Sequence, residues 1–327
     1  MAVIHYLNVN EGDCSVVQHN SGRVSVIDVC NAQALTEKTR SADILAEALA
    51  KATGGNFQQK KYPVNPIAYL KSHGIDSVFR FIVTHPDMDH LDGVEAFFDA
   101  FKPSNLWDTD NDEEKDFENQ TRYREDDWKF YTNLRDTKPQ SNPKWLTVYS
   151  GQIGEYWNKS GANPGDGLHV LAPTPELLAE ANKSGDYNDC SYVLLYITSD
   201  RRIVFGGDSN DKSWEHILKT HKADVTNVDL LIAPHHGRKS GRSYDFLDVL
   251  KPKLTFFGNA RSEHLAYDAW NYRDLPYITN NQANCMVASA TGEKLYIYVT
   301  NESFARKNNS ATFYNENLKA WYYSTIG

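Results

Sequence analysis

The chain has 327 residues, 40% of them hydrophobic and 24% charged, the composition of a folded soluble protein rather than a disordered one. Its 34 Lys and Arg stand against 43 Asp and Glu, a formal charge of −9. That charge argues against a surface built throughout for nucleic acid, but leaves room for divalent metals to supply positive charge locally. No apolar run approaches the roughly 20 residues needed to cross a bilayer, and the first residues lack a basic-then-apolar leader. The expectation is a cytoplasmic protein with no membrane partner. Cys14, Cys30, Cys190 and Cys285 are far apart and form no CxxC, which points away from a zinc knuckle or a disulfide framework.

The first thirty residues read as strands at His5–Val9, Ser15–Gln18 and Val24–Val29, parted by turns at Asn10–Asp13 and Asn20–Gly22. Thr36–Ala52 is rich in helix formers, with Leu45, Ala48 and Leu49 on one face and Gly54-Gly55 as its stop. Pro66–His73 predicts a short helix, Val78–Val83 a strand and Gly93–Phe101 a helix. This alternation is an α/β signature. From about 105 to 167 the character changes. Asp108, Asp110, Asp112, Glu113, Glu114, Asp116 and Glu118 come first, then Tyr123, Trp128, Phe130, Tyr131, Trp145 and Trp157. The acidic run lacks the glycine and glutamate of an EF-hand loop and reads as a solvated face. The aromatics are expected to pack on the core and wall a cleft. Strands follow at Leu168–Ala172, Tyr192–Thr198, Arg202–Phe205, Val228–Ala233, Leu254–Phe257 and Leu295–Val299, with helices at Trp214–Lys219 and Tyr244–Leu250. One domain over 1–300 is expected, with 301–327 a polar C-terminal extension packed on it or trailing from it.

Chemistry concentrates in Val83–Gly93, VTHPDMDHLDG, where His85, Asp87, Asp89 and His90 directly follow an apolar strand. A turn at a strand end projects side chains in several directions, so His85 and Asp87 can serve one ion and Asp89 and His90 a second. Imidazole with carboxylate suits zinc, manganese or iron. The plainer alternative is a helix N-terminus capped by Asp87 or Asp89. Two histidines beside two carboxylates favour metal. Gly206-Gly207-Asp208 ends another strand with a carboxylate free to approach a metal pair, and Pro234-His235-His236-Gly237 ends a third with two imidazoles. Ligands at three strand ends are what a dinuclear metallohydrolase requires.

These residues resemble the metallo-β-lactamase superfamily, and more narrowly its ComEC-type branch of competence proteins, where the usual HxHxDH appears as HxDxDH. Asn8–Asp13 is similar to that branch's VGQGD opening, Val26–Asp28 to its IDxG strand end, Asn188–Leu194 to NxxSxVL and Gly258–His264 to GxxNxxxH. The resemblance implies an αββα four-layer sandwich of the α/β (α+β) class, with residues 105–167 inserted. It also implies two divalent metal ions, zinc first and manganese as the alternative, with Asp208 bridging. Asp89 becomes a ligand of the second ion that also orients the attacking hydroxide. His236 is favoured as ligand, with His235 its close rival, and His264 acts near the leaving group as acid or oxyanion partner. A further superfamily histidine has no clear counterpart; His169 is an uncertain candidate, and Asn188 or Asp189 stands nearest to where that ligand would project. Arg238, Lys239 and Arg242, in the loop after the histidine pair, are expected to hold the phosphate of a nucleic acid or nucleotide phosphodiester substrate. The expected function is a metal-dependent hydrolase, a phosphodiesterase or nuclease. The rivals are an ester, thioester or lactam hydrolase and a catalytically idle binding protein.

Overall fold

The computed structural model describes residues 1–53, 58–118, 122–260 and 264–327. The Gly54-Gly55 helix stop and residues 261–263 of the Gly258–His264 stretch lie outside the described residues. Six strands open the chain: β1 (Ala2–Tyr6), β2 (Ser15–Gln18), β3 (Val24–Ile27), β4 (Arg80–Ile82), β5 (Asn105–Trp107) and β6 (Lys144–Leu146). Six more follow, β7 (Leu168–Ala172), β8 (Val193–Thr198), β9 (Arg201–Phe205), β10 (Leu230–Ile232), β11 (Leu254–Phe257) and β12 (Tyr277–Thr279). The last four are β13 (Met286–Thr291), β14 (Lys294–Val299), β15 (Tyr314–Asn315) and β16 (Ala320–Ile326). They make a ten-stranded sheet, in the order β15-β16-β14-β13-β1-β2-β3-β4-β5-β6, and a six-stranded sheet, β12-β11-β10-β9-β8-β7. Strands β3 to β6 run parallel, as do β9 to β12.

Strand alternation builds the inter-sheet core. Ala2, Ile4 and Tyr6 of β1 meet Leu168 and Val170 of β7, Leu194 and Tyr196 of β8 and Phe205 of β9 in one buried cluster. The opposite face of the first sheet is covered by helices α2 (Pro66–Ser72), α3 (Val94–Phe101) and α4 (Glu125–Thr137), with α1 (Glu37–Thr53) further out. Helix α3 shows why: Val94, Phe97, Phe98 and Phe101 recur at i, i+3, i+4 and i+7 and are buried. The outer face of the second sheet carries Leu171, Leu195, Val204 and Leu231 against Trp214 and Ile217 of helix α6 (Asp211–Thr220). Between them in the chain, α5 (Pro175–Ser184) starts with Thr174 accepting from the Leu177 N–H and Pro175 in the first turn. Helix, sheet, sheet, helix is the four-layer αββα order.

Several expectations are corrected. The face of α1 that carries Leu45 and Leu49 is 59% and 41% exposed, and only Ala50 is buried. Tyr244–Leu250 is helical only at Leu247–Leu250. Segment 105–167 contributes β5 and β6, which pair in parallel and extend the first sheet. Its acidic run is not uniformly solvated. Asp108 is fully buried, accepting from the Tyr131 hydroxyl at 2.9 Å, and burial pushes its carboxyl up to about 6. Residues 301–327 pack on the domain: a helix at Glu302–Asn308 leads into β16, which pairs antiparallel with β14.

Candidate metal centre

The two sheets meet at the C-terminal ends of their parallel strands, where loops carry side chains away from the backbone ladders. Asp28 follows β3, Thr84 and His85 follow β4, Asp208 follows β9, and His235 and His236 follow β10. The Tyr192 N–H donates to the Thr84 carbonyl at 3.0 Å and joins the sheets at this edge. His85, His90 and Asp208 bring ligand atoms within 4.8 Å of one another; so do Asp89, His90 and His236, and so do Asp13, Asp208 and His236.

Backbone geometry aims these groups. His235, His236 and Gly237 take φ of 52°, 57° and 79°, consecutive left-handed residues. Such angles cost non-glycine residues on the order of 1 kcal/mol or more each and persist only where neighbours enforce them. Here the His235 N–H donates to the Gly207 carbonyl at 2.8 Å, and the His236 carbonyl accepts from the Gly258 N–H at 3.1 Å. Close packing also demands Gly12, where a Cβ would lie 1.6 Å from the Asp89 carbonyl oxygen.

Hydrogen-bond partners determine which imidazole nitrogen is available. His90 Nδ1 donates to Asp28 at 2.8 Å, and His236 Nδ1 donates to Asp13 at 2.8 Å, since a carboxylate only accepts. The Thr84 hydroxyl gives its one proton to Asp28 at 2.7 Å, so His85 Nδ1, 3.2 Å away, is the donor in that pair. All three histidines therefore present a bare Nε2. These Nε2 atoms and Asp208 Oδ1 are buried without a hydrogen-bond partner. Buried polar atoms are rarely left so, and the two groups His85, His90, Asp208 and Asp89, His90, His236 fit divalent cations.

His235 is wired the other way. The Arg242 guanidinium, which can only donate, lies 2.6 Å from His235 Nδ1, so the proton sits on Nε2, 3.6 Å from Asp208. Burial lowers the His235 pKa to about 4. Against burial, Asp208 and Asp28 pull His90 well above its ordinary value, and Asp208 and Asp13 do so for His236. Asp208, also against burial, is held well below the usual carboxylate range by His236, His90 and His235. The field at this point favours positive charge.

The structure distributes the remaining predicted residues unevenly. Asp87 stands beside the clusters, its Oδ2 3.4 Å from His85 Nε2 and its Oδ1 3.1 Å from Lys115. Arg242 is buried and directs its donors inward, to His235, to the Ser209 carbonyl at 2.8 Å and to the Asp208 carbonyl at 2.6 Å. It braces the site, and the exposed cations of that loop are Arg238 and Lys239. The exposed His264 is tied to the same loop, its carbonyl accepting from the Lys239 N–H at 2.5 Å. Asn188 lies in a short helical turn with its side-chain oxygen buried and unpartnered. His169 joins none of the clusters. Alternation along β7 turns it away from the inter-sheet core, into a cavity of about 260 Å³ shared with His221 and Asp224. Sequence reasoning gave no role to Asp13 and Asp28, which orient the histidines, or to Ser191, whose hydroxyl accepts from the Asp208 N–H at 2.9 Å. The signal for the first two was the motif resemblance, in which Asp13 closes the VGQGD-like opening and Asp28 stands in the IDxG-like strand end.

No protein-family model and no curated protein matches the chain by sequence. Among solved structures it is similar to Igni18, a metallo hydrolase from the archaeon Ignicoccus hospitalis, at 10% identity and a TM-score of 0.47 over 88% of this chain and all of that one. Zn²⁺-bound PqqB from Methylobacterium extorquens matches at 10% identity and a TM-score of 0.40, over 85% of this chain and 97% of that one. A diphosphatase of the PhnP family matches at 12% identity and a TM-score of 0.35, over 79% and 86%. The architecture stated for this chain rests on its own layers and register.

Proposed function

We propose that this chain is a metal-dependent hydrolase of phosphodiesters, with a nucleic acid or nucleotide as substrate. The observation that carries the reading is the convergence of three bare, buried imidazole Nε2 atoms and an unpartnered Asp208 oxygen at one sheet edge. His85, His90, His236, Asp89 and Asp208 would hold the metal, zinc or manganese, with Asp87 at the side. When bound, divalent metal supplies Lewis acidity and makes a water nucleophilic near neutral pH.

The chain's own residues do the rest. Asp13, Asp28 and Thr84 lock the imidazole tautomers, so nothing must reorganise when charge develops. Asp89, partly open to solvent, accepts a hydrogen from the attacking water and orients it. His235 donates a hydrogen bond from its Nε2–H to the developing anionic oxygen, and Arg242 holds that tautomer. Arg238 and Lys239 face solvent and bind phosphate, with His264, bonded to that loop through its carbonyl, toward the leaving group. A phosphodiester carries the charge these cations need; a neutral ester or lactam does not.

The test is a substrate panel on the metal-loaded protein: bis-p-nitrophenyl phosphate, single- and double-stranded DNA, RNA, cyclic nucleotides, a thioester and nitrocefin. Cleavage of at least one diester is expected. Turnover of nitrocefin or the thioester with no diester cleaved makes the protein an acyl hydrolase and defeats the proposal.

A further inference from the structure

Asp87 is a carboxylate of the site with a cation behind it. Its Oδ2 points toward His85 Nε2, but Oδ1 is 3.1 Å from the ammonium of Lys115, a residue of the 105–167 segment. Lys115 is 13% exposed, lies 5.3 Å from the centre of the Trp128 ring and also contacts Glu113 at 3.0 Å. It is a built contact, held by an aromatic face and a second carboxylate. Asp87 is absent from all three groups of converging ligand atoms.

On the other side of Asp208 the backing has the opposite sign. His90 and His236 lean on the carboxylates of Asp28 and Asp13, and a carboxylate behind an imidazole makes it a stronger ligand. His85 leans on the neutral Thr84 hydroxyl. An ammonium behind a carboxylate withdraws charge from it and repels a cation in front.

We propose that Lys115 makes the centre unequal: it holds Asp87 by one oxygen and weakens the His85–Asp87 side, so that one divalent ion is held tightly by His90, His236, Asp89 and Asp208 while a second binds loosely and exchanges. This rests on the metal-centre reading above. Lys115 is a positioning residue, acting through Asp87.

The experiment reads metal affinity, not turnover. The full chain is stripped with chelator, reloaded with zinc and titrated against a chromophoric competitor, with bound ions counted by elemental analysis. The parent protein is expected to release zinc in two steps, the looser ion at least about tenfold weaker. Lys115→Met keeps an unbranched stem on Trp128 and removes the charge. It should tighten the looser ion by about tenfold or more, the low end of outer-shell effects, and leave the tighter ion unmoved. Lys115→Gln should do the same, and Lys115→Arg should behave as the parent. A general structural disturbance would loosen both ions. Release of both ions in one step by the parent, or a looser ion that Lys115→Met leaves unchanged or weakens, overturns the inference alone. A chain that takes up no ion overturns the metal-centre reading and the inference with it.

Discussion

Asp13 is the sharpest place to perturb the centre without touching a ligand. Its side chain is nearly buried, accepting from His236 Nδ1 at 2.8 Å and from the Tyr6 hydroxyl at 2.5 Å. Both bonds end on Oδ1, so Asp13→Asn keeps a carbonyl oxygen for His236 and for the Tyr6 hydroxyl alike. What disappears is the negative charge behind the imidazole. Outer-shell partners are worth about 10–100-fold in metal affinity, so Asn should sit near the low end, about tenfold or 1.4 kcal/mol. Asp13→Ala leaves two buried donors without an acceptor and frees the His236 tautomer. It belongs near the high end, about 100-fold, with a loss of metal-free stability on the order of 2–3 kcal/mol. In excess zinc a tenfold weaker ion gives about 1.4 kcal/mol less ligand-linked stabilisation. For a chain of this size that removes roughly 2 °C from the zinc-induced rise in melting temperature. Calorimetry with and without zinc, beside chelator competition, measures both quantities. Alanine at 13 with parental zinc affinity would refute the tautomer argument, because among the described residues only Asp13 bonds His236 Nδ1.

Three further outcomes follow from the same geometry. Asp208→Ala should abolish turnover and lower metal occupancy while the far-ultraviolet dichroism stays parental, since the residue sits past the end of β9; near-full activity would rule out its place between the ions. Arg238→Ala with Lys239→Ala should raise KM for a polymeric nucleic acid more than for bis-p-nitrophenyl phosphate. It should also flatten the dependence of log K on log salt by roughly 0.7–0.9 for each phosphate no longer bound, and parallel slopes would exclude any such phosphate binding. Asp108 ties stability to pH: burial lifts its pKa from 3.8 to about 6, so the native state holds a proton that the unfolded chain has released. Its contribution is full below pH 4 and is lost as pH rises through 6. Asp108→Asn should therefore match the parent near pH 4 and exceed it by roughly 2–3 kcal/mol at pH 7, while urea denaturation showing a constant difference across that range would contradict the raised pKa.

Local pattern was enough for much of this protein. Apolar patterning marked β7 to β11 of the second sheet but only β1 to β4 and β14 of the first, and the three strand ends bearing His85 to His90, Asp208 and His235-His236 were legible as metal chemistry, because ligand-rich turns after apolar strands are visible in one dimension. Other features depended on long-range contacts. The sequence could not say that β16 returns to extend the first sheet, that α1 leaves Leu45 and Leu49 in solvent, or that Asp108 is buried, since burial depends on what packs opposite. The choice between His235 and His236 illustrates the limit. Adjacent and chemically identical, they are separated only by Asp13, 223 residues before His236, and by Arg242 at the other ring. A carboxylate and a guanidinium set opposite tautomers, and which one stands behind which histidine is decided by the meeting of two sheets.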